Sequence, residues 1–187
     1  MATDITIRET LDDLSCVEGK AELIAGRIIH LMPSGDLPSS AAFEIAVSLR
    51  VHSKLTGHGK AYADGVGYAV AELPSGRESF SPDASYYDGP PPPNPMRFID
   101  GVPKFAAEVR SENDYGPTAE AEMAEKRADY SAAGTLVVLD VDPEVRTVAM
   151  YKATSPNQTI IFRAGDIANA EPAVPGWRMA VADIFAE

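Results

Sequence analysis

Three residues of this chain are candidates for chemistry, Asp83, Glu108 and Lys126, and the last two stand in uncommon settings. Glu108 lies inside KFAAEVR (104–110), a compact strand candidate. Alternation puts Glu108 on one face with Ala106 and Arg110, opposite Phe105, Ala107 and Val109. A carboxylate there is costly unless it is paired or metal-bound. Either an ion pair with Lys104 or Arg110 or a bound cation therefore follows. Lys126 belongs to a helical stripe of Ala119, Met123, Lys126, Tyr130 and Ala133, spaced 4, 3, 4 and 3. That stripe aims its head toward the sheet or the sheet edge; the alternative is a lysine whose stem packs while its amine snorkels to water. Asp83 follows Pro82 at the start of a strand, a position where Asp is also a common turn residue.

Other chemistries lack their signatures. His30, His52 and His58 show no HExxH or paired spacing, so a zinc site is not indicated. There is no GxxxxGK[ST], GxGxxG or GxSxG, and Cys16 has no partner for nucleophilic catalysis. A single cysteine excludes an intramolecular disulfide framework and suits a reducing cytoplasm. The N-terminus carries early acidic residues and no apolar h-region, unlike a secretory signal, and no apolar run reaches the roughly 18 residues that span a bilayer.

The elements that must position the three residues read as follows. Residues 4–15 form a short helix carrying Ile7, Leu11 and Leu14. AELIAGRIIHLMP (21–33) is a β-hairpin turning at Ala25-Gly26, although that is not the strongest turn pair. A loop over 33–40 precedes a helix capped by Ser39 or Ser40 that runs to about Leu55, with Ile45 and Leu49 facing inward. Strands are expected over 66–73 and 80–87, and GPPPPNP (89–95) is a surface loop without amide donors. The strand at 104–110 leads through a polar loop to a helix over 119–133, capped by Thr118 and ended by Gly134. TLVVLDV (135–141) is an apolar strand covered on both faces, with further strands at 145–152 and 158–163. The strand–helix–strand unit from 104 to 141 fits a right-handed crossover, and the whole is one mixed α/β domain over residues 1–187.

Charge argues against an obvious nucleic-acid surface. The 187 residues carry 16 Lys and Arg against 28 Asp and Glu, a net charge of −12. Even residues 97–127 hold five basic side chains against seven acidic ones, so no basic footprint for phosphates emerges. A dimer that builds a groove, or a partner protein, would have to supply the missing positive surface.

The order and spacing of these pieces resemble a known family. Pro82-Asp83, Glu108-Val109-Arg110-Ser111, Lys126-Arg127-Ala128-Asp129-Tyr130-Ser131-Ala132-Ala133-Gly134 and a strand ending Asp142-Pro143 resemble the Uma family of restriction-endonuclease-like proteins in the PD-(D/E)XK nuclease superfamily. Ala21-Glu22-Leu23-Ile24-Ala25-Gly26-Arg27-Ile28-Ile29 looks like that family's N-terminal hairpin. The resemblance implies a central mixed sheet flanked by helices, with Mg²⁺ or Mn²⁺ held by Asp83 and Glu108 near the Val109 carbonyl. It moves the catalytic lysine from the usual slot, here Arg110, to Lys126 on the next helix, and leaves Arg110 as a supporting residue of the site. Glu22 adds a third acid at the rim, and Tyr130 orients the lysine or closes the pocket from behind. The implied activity is metal-dependent hydrolysis of DNA phosphodiesters. A catalytically silent binding module on the same fold, and a hydrolase of another phosphodiester, remain the alternatives. The chain departs from the family in having Ala41-Ala42 where a histidine is common, and Asp140 within the apolar strand.

Overall fold

The structure is a computed structural model that describes residues 8–186. In chain order its elements are α1 (Leu11–Leu14), β1 (Ala21–Ile24), β2 (Arg27–His30), α2 (Asp36–Thr56), β3 (Lys60–Ala63), β4 (Tyr68–Ala69), β5 (Ser79–Phe80), β6 (Ala84–Tyr87), β7 (Ile99–Asp100), β8 (Phe105–Val109), α3 (Pro117–Ala133), β9 (Val137–Asp142), β10 (Thr147–Lys152), β11 (Ser155–Phe162), β12 (Ile167–Asn169), β13 (Arg178–Ala180) and α4 (Val181–Ile184). Six strands make the central sheet in the order β11-β10-β9-β8-β6-β3. Only β8 and β9 run parallel within it, joined by α3 as the crossover expected from the sequence. The fold is therefore mixed α+β, a central mixed sheet flanked by helices.

Alternation along β8 sorts the two faces. Phe105, Ala107 and Val109 join Val137, Leu139, Val141 and Met150 in the main core, beneath Ile45 and Leu49 of α2 and Trp177 near the C-terminus. Ala106 points the other way, into a second cluster with Tyr130 of α3, Phe80 and Tyr68. Glu108 shares this second face, so the strand's period of two delivers its carboxylate beneath α3.

Several elements differ from the sequence reading. Helix α2 starts at Asp36, one turn earlier than expected, with Gly35 at its N-cap and no side-chain cap. Pro38 falls in its first turn, where the missing N–H has no intrahelical partner to lose. Helix α3 starts at Pro117 rather than after a Thr118 cap, for the same reason. The expected strand over 80–87 is two pieces, β5 and β6, in different sheets, because the chain turns at Pro82. Only Tyr68–Ala69 of the 66–73 run pairs, and β3, β7 and β12 are short strands with no period to betray them. Of the N-terminal helix, four residues form, Leu11–Leu14, held by a Thr10–Asp13 capping box; residues 4–7, with Ile7, lie outside the described residues. Turn geometry of the β1–β2 hairpin is as expected, with positive φ at both Ala25 (52°) and Gly26 (67°).

Candidate functional site

Four segments carry the acids and their cations to one end of the sheet. β1 docks against the segment before β5: Ala25 donates its amide to the Gly76 carbonyl (2.7 Å), Glu78 donates to Leu23 O (2.9 Å) and Leu23 donates to Ser79 Oγ (2.7 Å). This places Glu22 of β1 beside Arg77. Asp83 sits where the chain turns into β6, and its own amide donates to the Ala107 carbonyl of β8 (3.1 Å). Glu108 lies near the end of β8, one residue before Val109. α3 then lays Lys126, Asp129 and Tyr130 over these strands.

The resulting contacts interlock. Lys126 Nζ bridges Glu108 Oε2 (2.8 Å) and Glu22 Oε1 (3.1 Å). Tyr130 donates its hydroxyl to the other Glu108 oxygen, Oε1 (2.6 Å). Asp83 Oδ2 accepts the Val109 amide (2.8 Å), and Asp83 Oδ1 faces Lys20 Nζ (2.6 Å), which also reaches Asp64 at the rim (2.7 Å). Arg77 donates through Nε to Asp129 Oδ2 (2.9 Å) and through a second nitrogen to Glu22, while the Ser81 amide donates to Glu22 Oε1 (2.9 Å). Phe80 stacks on the Tyr130 ring at 4.1 Å between centroids and fixes its angle. Lys20, Glu22, Asp83, Glu108 and Lys126 line a cleft of about 490 Å³ together with Met32, Ser111 and Met123, and Tyr130 lies behind it.

Glu22, Asp83, Glu108, Lys126 and Tyr130 are thus brought together, with the Val109 backbone at the same strand end. Arg110 is not. Its guanidinium turns to Asp140, which it grips through Nε and a terminal nitrogen (2.7 and 2.8 Å), and to Glu120. Arg127 completes this second network on Asp140 (2.8 Å). The acid that looks misplaced in an apolar strand is therefore a buried anion held by two guanidiniums, in register with Glu108 on the neighbouring strand. Neither ion pair expected for Glu108 from its strand neighbours forms; its cation is Lys126.

Sequence reasoning missed Lys20, Arg77 and Asp129. Asp129 carried a signal, because it lies one turn beyond Lys126 on the same flank of α3. Lys20 and Arg77 stand outside any periodic element, the latter in what reads only as a turn, and no local pattern marks them.

Electrostatics separate the two acids that share Lys126. Burial pushes the Glu108 carboxyl up, and nearby Asp83 and Glu22 push it further, against the pull of Lys126. Glu22 resists the same burial and is held below the usual carboxylate range by Lys126, Arg77 and the Ser81 amide. Burial works against the Lys126 ammonium, but Glu108 and Glu22 hold it above its ordinary value. Tyr130 is driven well above the ordinary phenol range by burial and by Glu108, which keeps it a neutral donor.

The donor set fits a hard divalent cation. Asp83 Oδ1 and Glu108 Oε2 are the oxygens now facing lysine ammoniums, whereas the Val109 amide and the Tyr130 hydroxyl tie down their partners. Among the described residues no three acids, histidines or cysteines form a ready metal cage. Mg²⁺ needs none, since it is bound through one or two carboxylates and keeps much of its water.

Comparison with known proteins agrees with this architecture. A crystal structure from Anabaena variabilis, described as a "putative nuclease" of DUF820, superposes with a TM-score of 0.71 over 94% of this chain and 97% of its own, at 21% identity. The two share this α+β fold. The profile of the Uma2 family, "Putative restriction endonuclease", matches residues 9–182, and the chain belongs to that family. No curated protein sequence matches it.

Proposed function

We propose that this protein is a divalent-metal-dependent endonuclease that hydrolyses DNA phosphodiester bonds. The observation that carries this reading is the meeting of Lys126 with Glu108 and Glu22, beside Asp83, on the floor of one cleft. Asp83 and Glu108 would hold Mg²⁺ or Mn²⁺, with the Val109 carbonyl at the same strand end. Bound there, such an ion supplies a Lewis acid for the phosphate and an acidified water.

The chain's own residues do the rest. Tyr130 donates to Glu108 Oε1 and so fixes which carboxylate oxygen faces the cleft. Lys126, kept charged by the two glutamates, places a fixed cation where negative charge grows on a phosphate under attack. Glu22, buried and ionised, holds Lys126 from the side opposite Glu108. Arg77 holds Glu22 in turn and ties it to α3 through Asp129. Two residues of this machinery are thus positioning groups, Tyr130 and Glu22, and Arg77 positions one of them.

The test is cleavage of single- and double-stranded DNA with Mg²⁺ or Mn²⁺. Activity that vanishes on chelation and in Asp83→Asn and Glu108→Gln, with folding intact, supports the reading. Inactivity of the wild-type protein on every phosphodiester offered overturns it. The net charge of −12 favours one second reading, a binding module on the same fold that does no chemistry. In that case DNA or a protein partner binds without any dependence on Glu108.

A further inference from the structure

Lys20, Arg77 and Lys126 all line the cleft, but they are not equally committed to the acids around them. Arg77 is held by Glu22 and Asp129, and Lys126 by Glu22 and Glu108, so each has two buried carboxylates. Lys20 differs. Its ammonium lies 2.6 Å from Asp83 Oδ1 and 2.7 Å from Asp64 Oδ1, and the Asp64 side chain is 54% exposed. An ion pair to so solvated a partner holds a lysine only weakly.

The backbone fixes where this lysine can act. Lys20 immediately precedes β1, and its carbonyl accepts the Leu31 amide (2.9 Å) at the open end of the β1–β2 hairpin. Asp64 immediately follows β3, whose pairing of Ala63 with Ala84 of β6 brings it near Asp83. The root of Lys20 is thus anchored, while its flexible four-carbon stem lets the ammonium move between its two acids and the open cleft. Asp83 Oδ2 is already engaged by the Val109 amide, so Oδ1, the oxygen Lys20 holds, is the one left for a metal ion.

Charge shows what the ammonium is then free to do. The ion-paired groups lining the cleft are four acids, Glu22, Asp83, Glu108 and Asp129, against the three bases, an excess of one negative charge. With a divalent cation on Asp83 and Glu108 the same set carries one positive charge, equal and opposite to that of a phosphodiester. Like charges on one carboxylate oxygen repel, so Lys20 gives up Asp83 and Lys126 gives up Glu108. Lys126 keeps buried Glu22, whereas Lys20 keeps only solvated Asp64. Asp114, Glu122 and Glu125 also line the cleft and repel an incoming phosphate, so a base without a buried partner is what that phosphate needs there. Resting on the nuclease reading above, we infer that Lys20 is a second phosphate-contacting cation of this site, released to the substrate when Asp83 takes up a divalent ion.

Salt-dependent binding tests this on the full chain, read by the anisotropy of a short fluorescein-labelled DNA duplex in Ca²⁺, with a gel to confirm that the strands stay intact. Each phosphate contact adds about 0.9 to the slope of log affinity against log salt. Lys20→Met is expected to lower that slope by about one and to weaken binding about tenfold at about 0.1 M salt, whereas Lys20→Arg keeps the slope and shows that the fold tolerates change at this position. With a chelator in place of Ca²⁺ the wild-type and Lys20→Met slopes coincide, because Asp83 then retains the ammonium. Lys54→Met, which removes a charge from α2 outside the cleft, leaves the slope unchanged. A slope indifferent to Lys20→Met, an equal drop in Lys54→Met or in chelator, or a wild type that binds no DNA overturns the inference. Cleavage of DNA with a slope independent of Lys20 overturns it and leaves the nuclease reading standing; a slope that depends on Lys20 without any cleavage in Mg²⁺ or Mn²⁺ supports the contact and overturns the nuclease reading.

Discussion

Replacing Arg77 by Met removes one guanidinium and leaves two carboxylates in the interior. Met keeps much of the apolar stem, so the change is chiefly electrostatic. Arg77 is 7% exposed, Glu22 2% and Asp129 7%, so none of the three has water to fall back on. Glu22 keeps Lys126 and the Ser81 amide, but Asp129 loses the only side-chain partner it has among the described residues. Breaking a buried pair by removing one member costs about 3–5 kcal/mol, because the remaining charge stays desolvated. For a chain of this size that lowers the melting temperature by about 6–20 °C. The pH dependence carries the sharper test. In the wild type Glu22 is held below its ordinary value, so its contribution is present above the usual carboxylate range and is lost as pH falls through the lowered folded value. In Arg77→Met Glu22 loses one of the two cations that hold it down, so this contribution weakens. The deficit is then greatest at neutral pH and shrinks as pH falls through the carboxylate range. Urea denaturation at several pH values measures both quantities. A deficit below about 1 kcal/mol at neutral pH, or one that ignores pH, refutes the reasoning.

Three further outcomes follow from the same contacts. Tyr130→Phe takes the donor from Glu108 Oε1, which costs about 1–3 kcal/mol and moves the pH profile of Mn²⁺ binding upward, because the ionised Glu108 loses a hydrogen bond; an unmoved profile contradicts the assigned role. Glu108→Gln melts no lower than the wild type at neutral pH: a carboxyl whose folded value is raised costs stability as pH rises through the window above its unfolded value, so the neutral amide avoids that cost. A calorimetric melt several degrees lower counts against it. Lys20→Met frees Asp83 Oδ1 and removes a like charge, and tightens Mn²⁺ binding roughly fivefold by titration calorimetry; equal or weaker binding shows that Lys20 does not compete for that oxygen.

Much of this site was legible because its signals are periodic. Glu108 declared itself by interrupting an apolar strand, and alternation alone assigned its face. The 4-3-4-3 stripe did the same for Lys126 and Tyr130 on α3, and the strand–helix–strand unit gave the one parallel pairing in the main sheet. Family resemblance supplied Asp83 and Glu22, which no period distinguishes. The unread part is long-range. Lys20 and Arg77 come from loops whose positions depend on how β1 docks against residues 76–79, and no local pattern encodes that docking. Arg110 illustrates the reverse error. Two residues past Glu108 it occupies the slot where the resemblance expects a lysine, but Asp140 on the adjacent strand gives it a bidentate partner and draws it away from the cleft. Helix starts were misjudged because Ser and Thr are strong caps on average, whereas here Gly35 and Gly116 open the helices and prolines occupy their first turns.

The central claim is that Asp83 and Glu108 form one divalent-cation site. Titration of the metal-free protein with Mn²⁺ in a calorimeter, beside Asp83→Asn and Glu108→Gln, tests it most directly. One ion per chain, lost in both variants while their melting temperatures hold, is the predicted result. Absence of binding to the wild type, or binding that survives in either variant, contradicts the claim.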